Sequence, residues 1–168
     1  MAKTYPKRLL EFAQEHIPLL RTYLEREEKR DIDKLIRDEL VKKLQELIDQ
    51  LNQVKQKLVD SGRLAGLDLL DRTTHKLEKI RDSIRFASRG YRGVFDLEQM
   101  AEEELDRLIE FDQKLFGKIS LLKEKLQQVL SRPQAELKSA LGEFDREIEE
   151  FDSHLEERDK YALEKEGK

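Results

Sequence analysis

The chain contains no cysteine and no tryptophan, and it has only three prolines and seven glycines among its 168 residues. The absence of cysteine excludes disulfides, thiolate chemistry and cysteine-ligated zinc. No apolar run approaches the roughly 20 residues that span a bilayer, and Met1 to His16 lacks the apolar centre of a signal peptide. We therefore expect a soluble, cytoplasmic protein without a transmembrane segment.

Charged and apolar residues dominate what is present. Charged residues make up 42% of the chain and apolar residues 38%, with a net charge of -4. This composition is typical of long helices and coiled coils. The balanced charge and the regular recurrence of apolar residues argue against disorder, because a core can form. Dense pairs of opposite charge four residues apart also favour a thermophilic source.

Apolar residues recur every three or four positions, which predicts amphipathic helices. Short connections between long helices imply antiparallel neighbours, and the length suits one domain. We predict an all-α fold, an elongated antiparallel up-and-down helical bundle of four to five long helices in a single domain, 1–168. The predicted helices span residues 6–28, 32–60, 64–89, 97–130 and 133–162, followed by a charged tail at 163–168.

Several residues mark the expected ends of these helices. Pro18 should kink or split the first helix, and the apolar stripe lapses over residues 25–31, where the chain either bends or stays helical. Gly62 suits the left-handed position after the second helix. Asp96 is a predicted N-cap of the fourth helix, and Ser131 of the fifth. Inside these last two helices, we expect two glycines to allow close helix packing: Gly117 and Gly142.

The segment Ser88–Asp96 is the sharpest interruption of the helical pattern. Two glycines, two arginines and a tyrosine replace the leucine, glutamate and lysine found elsewhere. Loops carry binding residues more often than helix faces do, so we interpret this segment as a candidate partner-docking loop. A purely structural interpretation also holds, because glycine ends helices. The candidate partner-binding residues are Arg89, Tyr91, Arg92 and Val94.

Four arginines in this region offer a second hypothesis, an anion site. Arginine binds phosphate through two hydrogen bonds, and Tyr91 offers a ring face for stacking. The residues concerned are Arg81, Arg85, Arg89 and Arg92. Alternatively, these arginines have a structural role. The negative C-terminal end of the helix dipole stabilises cations, and the arginines would also neutralise the acidic start of an antiparallel neighbouring helix. A pI near 5.6 makes nucleic acid an unfavoured ligand. The acidic residues are Glu102, Glu103, Glu104 and Asp106.

The residue types needed for catalysis or metal binding are not combined in any known pattern. The three histidines, His16, His75 and His154, lack the preceding glutamate of a di-iron motif. The chain has no nucleophile elbow and no phosphate-binding glycine loop after a strand. We therefore predict no metal, no cofactor and no enzymatic activity.

These observations favour a non-catalytic interaction or scaffold protein. We expect it to dock a protein partner or to self-associate, through a helix face or through the Ser88–Asp96 loop. The alternative is an anion-binding or nucleic-acid-binding module that uses the arginine cluster. Binding to a membrane surface ranks below both, because the charges on the helix faces alternate in sign. The partner and the oligomeric state are not determined by the sequence.

Overall fold

A computed structural model describes residues 7–17, 30–87 and 101–166 of the chain. Helices occupy nearly all of these residues, which confirms the predicted all-α class. Their amphipathic patterns explain why they form, since each buries one stripe and exposes the rest. In chain order the helices are α1 Lys7–His16, α2 Arg30–Asp60, α3 Leu67–Ala87, α4 Glu102–Val129 and α5 Gln134–Glu166.

The bundle consists of two helical hairpins that lie side by side. One hairpin is α2–α3 and the other is α4–α5; α2 packs on α4 and α3 packs on α5. Both turns lie at the same end, where Arg63 donates hydrogen bonds of 3.2 Å to the backbone oxygens of Leu130 and Arg132. From α2 to α5, consecutive helices therefore run in opposite directions, whereas the pairs α2/α4 and α3/α5 are parallel.

This arrangement corrects one expectation about neighbours. In the described part of the chain α3 and α4 do not contact each other, because they occupy diagonal corners of the bundle. The short helix α1 lies outside the four-helix core and packs on α4. A diagonal placement cannot be read from connection length, which constrains the direction of a helix more than its neighbours.

The core follows the predicted apolar stripes. All six residues that define the stripe of α5 are at most 6% exposed: Leu137, Leu141, Phe144, Ile148, Phe151 and Leu155. The three-and-four spacing also predicts that Leu10, three residues before Ala13, lies on the buried stripe of the first helix; this prediction is wrong, because Leu10 is 44% exposed. On α1 only the face with Leu9, Phe12 and Ala13 is buried, and Leu10 lies about 100° around the helix from Leu9.

Three predicted helix ends also differ from the structure. The first helix ends at His16, before Pro18, and does not reach residue 28 as one element. The fifth continues to Glu166 through the predicted tail, since Ala162 is 1% exposed and the Tyr161 ring lies 5.7 Å from that of Phe111. Ser131 donates to the Gln128 backbone oxygen and so closes α4, where an N-cap of α5 was predicted.

Some of the predicted ends lie outside the described residues. The predicted N-cap at Asp96 is one of them. The predicted bend or helix at 25–31 is outside them too, apart from Arg30 and Asp31, which belong to α2. The described part of α4 starts after Ala101, whose backbone N–H donates to Glu104 Oε2 at 3.3 Å. This contact satisfies one of the donors that a helix start leaves free.

Two glycines shape the α2–α3 turn, and only one of them touches another helix. Gly62 and Gly66 have φ angles of +70° and +84°. A Cβ at Gly66 would lie 3.0 Å from Leu141 Cδ1 of α5, whereas a Cβ at Gly62 would meet nothing within 4 Å. The turn is therefore packed against the start of α5 at Gly66, a contact that the sequence does not show.

Gly66→Ala is expected to lower the free energy of unfolding by about 1–3 kcal/mol, and by more than Gly62→Ala does. Both variants force alanine into the left-handed region, but only the first adds a contact with α5. Urea denaturation of the two variants measures the difference. Equal losses would contradict a packed turn at Gly66.

The interior glycines do not have the packing role expected of them. A Cβ added at Gly117 or Gly142 would meet nothing within 4 Å, so neither allows close packing of a neighbouring helix. Alanine is favoured over glycine inside a helix by about 1 kcal/mol. Gly117→Ala and Gly142→Ala are each expected to raise the free energy of unfolding by about 0.5–1 kcal/mol, measured in the same denaturation series. A loss of stability would reveal a contact at that position.

Candidate functional site

The four predicted partner-binding residues lie outside the described residues, and the docking-loop hypothesis stays a prediction. These residues are Arg89, Tyr91, Arg92 and Val94. Of the predicted anion site, Arg81 and Arg85 are described, and both lie near the end of α3. The structure therefore describes two of the four arginines in that cluster.

Arg81 is bound to neighbours from its own helix and from α2. Its guanidinium donates to Asp82 Oδ1 at 2.9 Å and to Gln45 Oε1 at 2.5 Å, and its side chain is 15% exposed. The hydrogen bond with Asp82 raises the pKa of Arg81 and lowers that of Asp82. The predicted pairing of these arginines with the acidic start of α4 is therefore wrong for Arg81, because α3 and α4 are diagonal.

An open groove lies between α3 and α5. Its volume is about 550 Å³. The floor is formed by Ile80, Ile148 and Leu155, which are buried. Lys76, Lys79 and Ser83 line the groove from α3, and four acidic residues line it from α5: Glu149, Asp152, Glu156 and Asp159. We call this surface the α3/α5 groove.

The acidic residues of the α3/α5 groove are unevenly neutralised. At one end Lys76 donates to Asp145 and to Glu149, at 2.8 Å each. These hydrogen bonds raise the pKa of Lys76. Asp152 and Glu156 have no cationic partner within 4 Å among the described residues. Burial, together with the charge of Glu156, raises the pKa of Asp152. The ionised form of Asp152 is therefore less stable here than it would be in water, and a nearby cation would stabilise it.

On the opposite side of the bundle, α1 covers a second apolar stripe of α4. Ile109 and Phe116 form this stripe, and both are 1% exposed. The Phe12 ring meets the Phe116 ring edge to face at 5.2 Å, and the His16 ring lies 5.1 Å from both. Arg8 forms an ion pair with Glu110. A ten-residue helix is thus held on the bundle by an apolar face and one ion pair.

The attachment of α1 is expected to weaken at acidic pH. Burial lowers the pKa of His16 below 6.5; Glu15 opposes this shift and the charge of Lys43 adds to it, while α4 presents the uncharged Phe116 ring. While α1 is attached, His16 binds a proton less readily than it does in the unfolded chain. Its contribution to the attachment of α1 is therefore complete above pH 6.5. That contribution is lost as the pH falls through the lowered pKa.

Hydrogen exchange of the α1 amides, corrected for the intrinsic effect of pH, is expected to speed up between about pH 7.5 and pH 5.5. The variant His16→Gln provides the control, since glutamine does not titrate. If this variant shows the same acceleration as the native chain, His16 is not the group responsible.

A layer of charged residues crosses the core at the end of the bundle away from the turns. Arg158 of α5 donates to both carboxylate oxygens of Asp112 on α4, at 2.6 Å from Nε and 3.4 Å from Nη2. Arg37 of α2 lines the same small cavity, of about 20 Å³. The exposed fractions are 8% for Arg37, 1% for Asp112 and 3% for Arg158. We call these three residues the buried charge layer.

Neither the α3/α5 groove nor the buried charge layer was predicted from the sequence, although the sequence contains signals for both. Asp112 interrupts an apolar stripe between Leu108 and Leu115, and Arg158 interrupts one between Leu155 and Ala162. The acidic residues of the groove follow the three-and-four spacing along α5, which places them on one face. A charge on an apolar stripe and an unbalanced acidic stripe are both visible in the sequence. Their partners are not.

Other kinds of site find no support in the residues that the structure describes. Within them no group of three or more histidine or acidic residues is arranged to hold a metal ion. No helix in those ranges is long and apolar enough to cross a membrane. Comparison of the chain with protein-family models, with curated proteins and with solved structures gave no match.

Proposed function

We propose that this chain is a non-catalytic interaction protein that docks a protein partner in the α3/α5 groove. The observation that carries the proposal is the difference between the two sides of the bundle. Helix α4 carries α1 on its outer side, whereas no helix among the described residues covers the groove between α3 and α5, which has a buried apolar floor. Concave surfaces with an apolar floor and a polar rim are the usual places for ligands and partners.

The charges of the groove favour a different protein over a second copy of this chain as the partner. If two copies paired groove to groove, the acidic stripes of two α5 helices would face each other, and like charges at an interface are unfavourable. Four acidic side chains line the groove, against two lysines. Self-association through this face is therefore the less favoured form of the proposal.

Site-specific photo-crosslinking in source cells tests the proposal. A photoreactive amino acid replaces Ser83 in the groove, and in a control chain it replaces Gln127, which is exposed on α4. We expect a discrete crosslinked protein from the Ser83 position that the Gln127 position does not give. Identical products from both positions, or none from Ser83, would overturn the proposal. A product with twice the chain mass would identify self-association.

The anion-binding hypothesis is the alternative outcome. This hypothesis has to account for Arg81, one of its four arginines, which is already bound to Asp82 and Gln45. It predicts nucleic acid retained by the chain, lost at moderate salt, and reduced by Arg85→Ala. Such a result, together with an absence of crosslinks in the groove, would replace our proposal.

A further inference from the structure

The way in which α1 binds the bundle indicates what kind of partner the α3/α5 groove would fit. Helix α1 spans ten residues and presents Leu9, Phe12 and Ala13 to α4. Its Arg8 forms an ion pair with Glu110 of α4. This bundle therefore already holds one short amphipathic helix outside its core, through an apolar face and an arginine at its edge.

The dimensions of the open groove suit an element of the same length. The four acidic residues of α5 that line it run from Glu149 to Asp159. Ten residues of helix rise about 15 Å, which equals the length of a helix such as α1. The apolar floor lies along the same stretch, and the stems of Lys76 and Lys79 extend the apolar lining from α3.

The charge of the groove selects a cationic helix. Asp152 and Glu156 lie four residues apart on one face, with no cation within 4 Å among the described residues. Burial and the charge of Glu156 raise the cost of ionising Asp152. A lysine or arginine placed between them would remove that cost and form charge-assisted hydrogen bonds. The free protein thus carries an electrostatic penalty that a cationic partner would relieve.

From this juxtaposition we infer that the α3/α5 groove binds a short amphipathic helix with lysine or arginine along the edge of its apolar face. This inference rests on the proposed function and names the partner by its chemistry. The apolar face covers Ile80, Ile148 and Leu155, and the cations lie over Asp152 and Glu156. An amphipathic helix in an apolar groove is a common mode of peptide recognition, read from anchors at i, i+3, i+4 and i+7.

Fluorescence anisotropy with two labelled peptides tests this inference. One is an amphipathic helical peptide of leucine and lysine, and the other has glutamate in place of every lysine. We expect the lysine peptide to bind the full chain and the glutamate peptide not to bind. The variant Asp152→Lys/Glu156→Lys is expected to weaken binding of the lysine peptide at least tenfold.

A matched variant separates groove binding from general attraction between opposite charges. Glu103 and Glu124 are exposed on α4, and Glu103→Lys/Glu124→Lys changes the net charge by the same amount. This control is expected to weaken binding less than threefold. Equal losses in the two variants would overturn the inference, and so would binding of both peptides. Unfolding curves of each variant verify that the bundle is intact.

The two experiments fail independently. If crosslinks form in the groove but the lysine peptide does not bind there, the groove docks a partner of another chemistry and this inference is wrong. If the peptide binds in the groove but no partner is crosslinked in cells, the groove chemistry stands and the proposed function is wrong.

Discussion

Asp112→Ala is expected to lower the free energy of unfolding by about 3–5 kcal/mol. The substitution leaves Arg158, which is 3% exposed, without the carboxylate that its guanidinium binds through two nitrogens. Arg37 lines the same cavity and is 8% exposed. Arg158 keeps the ion pair of 3.3 Å between its Nη1 and Asp159 Oδ1, but it loses the carboxylate bound by two of its nitrogens. We expect this partial loss of compensation for a buried charge to cost more than the packing that the short aspartate side chain supplies.

Urea denaturation of the native chain and Asp112→Ala gives the two free energies. The double variant Asp112→Leu/Arg158→Met is the informative comparison, since replacing a whole buried ion pair by apolar residues is often neutral or stabilising. We expect it to recover most of the loss, with Arg37 as the one remaining charge of the layer. A loss below about 1 kcal/mol in the single variant would show that water reaches the pair.

Phe151→Ala is expected to lower the free energy of unfolding of the whole bundle by about 3–5 kcal/mol, whereas Phe12→Ala is expected to release α1 alone. Both rings are fully buried, at 0% exposure, so the chemistry of the two substitutions is the same. Their positions differ. Phe151 lies on the apolar stripe of α5 at the centre of the bundle, and Phe12 lies on α1, which contacts only α4 among the described helices.

Hydrogen exchange resolved along the chain distinguishes the two effects, because units that open independently lose protection independently. In Phe12→Ala we expect faster exchange for the α1 amides and unchanged protection of α2 to α5. In Phe151→Ala protection should fall in all four long helices together. A general loss of protection in Phe12→Ala would show that α1 belongs to the same cooperative unit as the bundle.

Much of this fold could be predicted because helix periodicity is a local property. The spacing of Leu137, Leu141 and Phe144 identifies the buried face of α5 without knowledge of what covers it. Gly62 likewise marks the end of α2 through its own backbone conformation. Each of these predictions depends on residues within a few turns of one another, and each was confirmed.

The candidate site could be predicted far less well, because it is made of contacts between distant segments. The groove exists because α3 and α5 are adjacent and parallel, whereas short connections led to the prediction that consecutive helices are neighbours. That assumption also misplaced the partners of Arg81. The exposure of Asp152 and Glu156 on a groove depends on the same pairing of helices.

The helical class, the long apolar stripes and the lack of cysteine chemistry follow from composition and periodicity alone. The diagonal placement of α3 and α4 and the packing of Gly66 on α5 emerge only when the helices assemble. Assembly alone also places Asp112 against Arg158, 46 residues apart in the chain. A stripe specifies that a face is buried, but many partners can cover an apolar face. Only the packed bundle selects one of them.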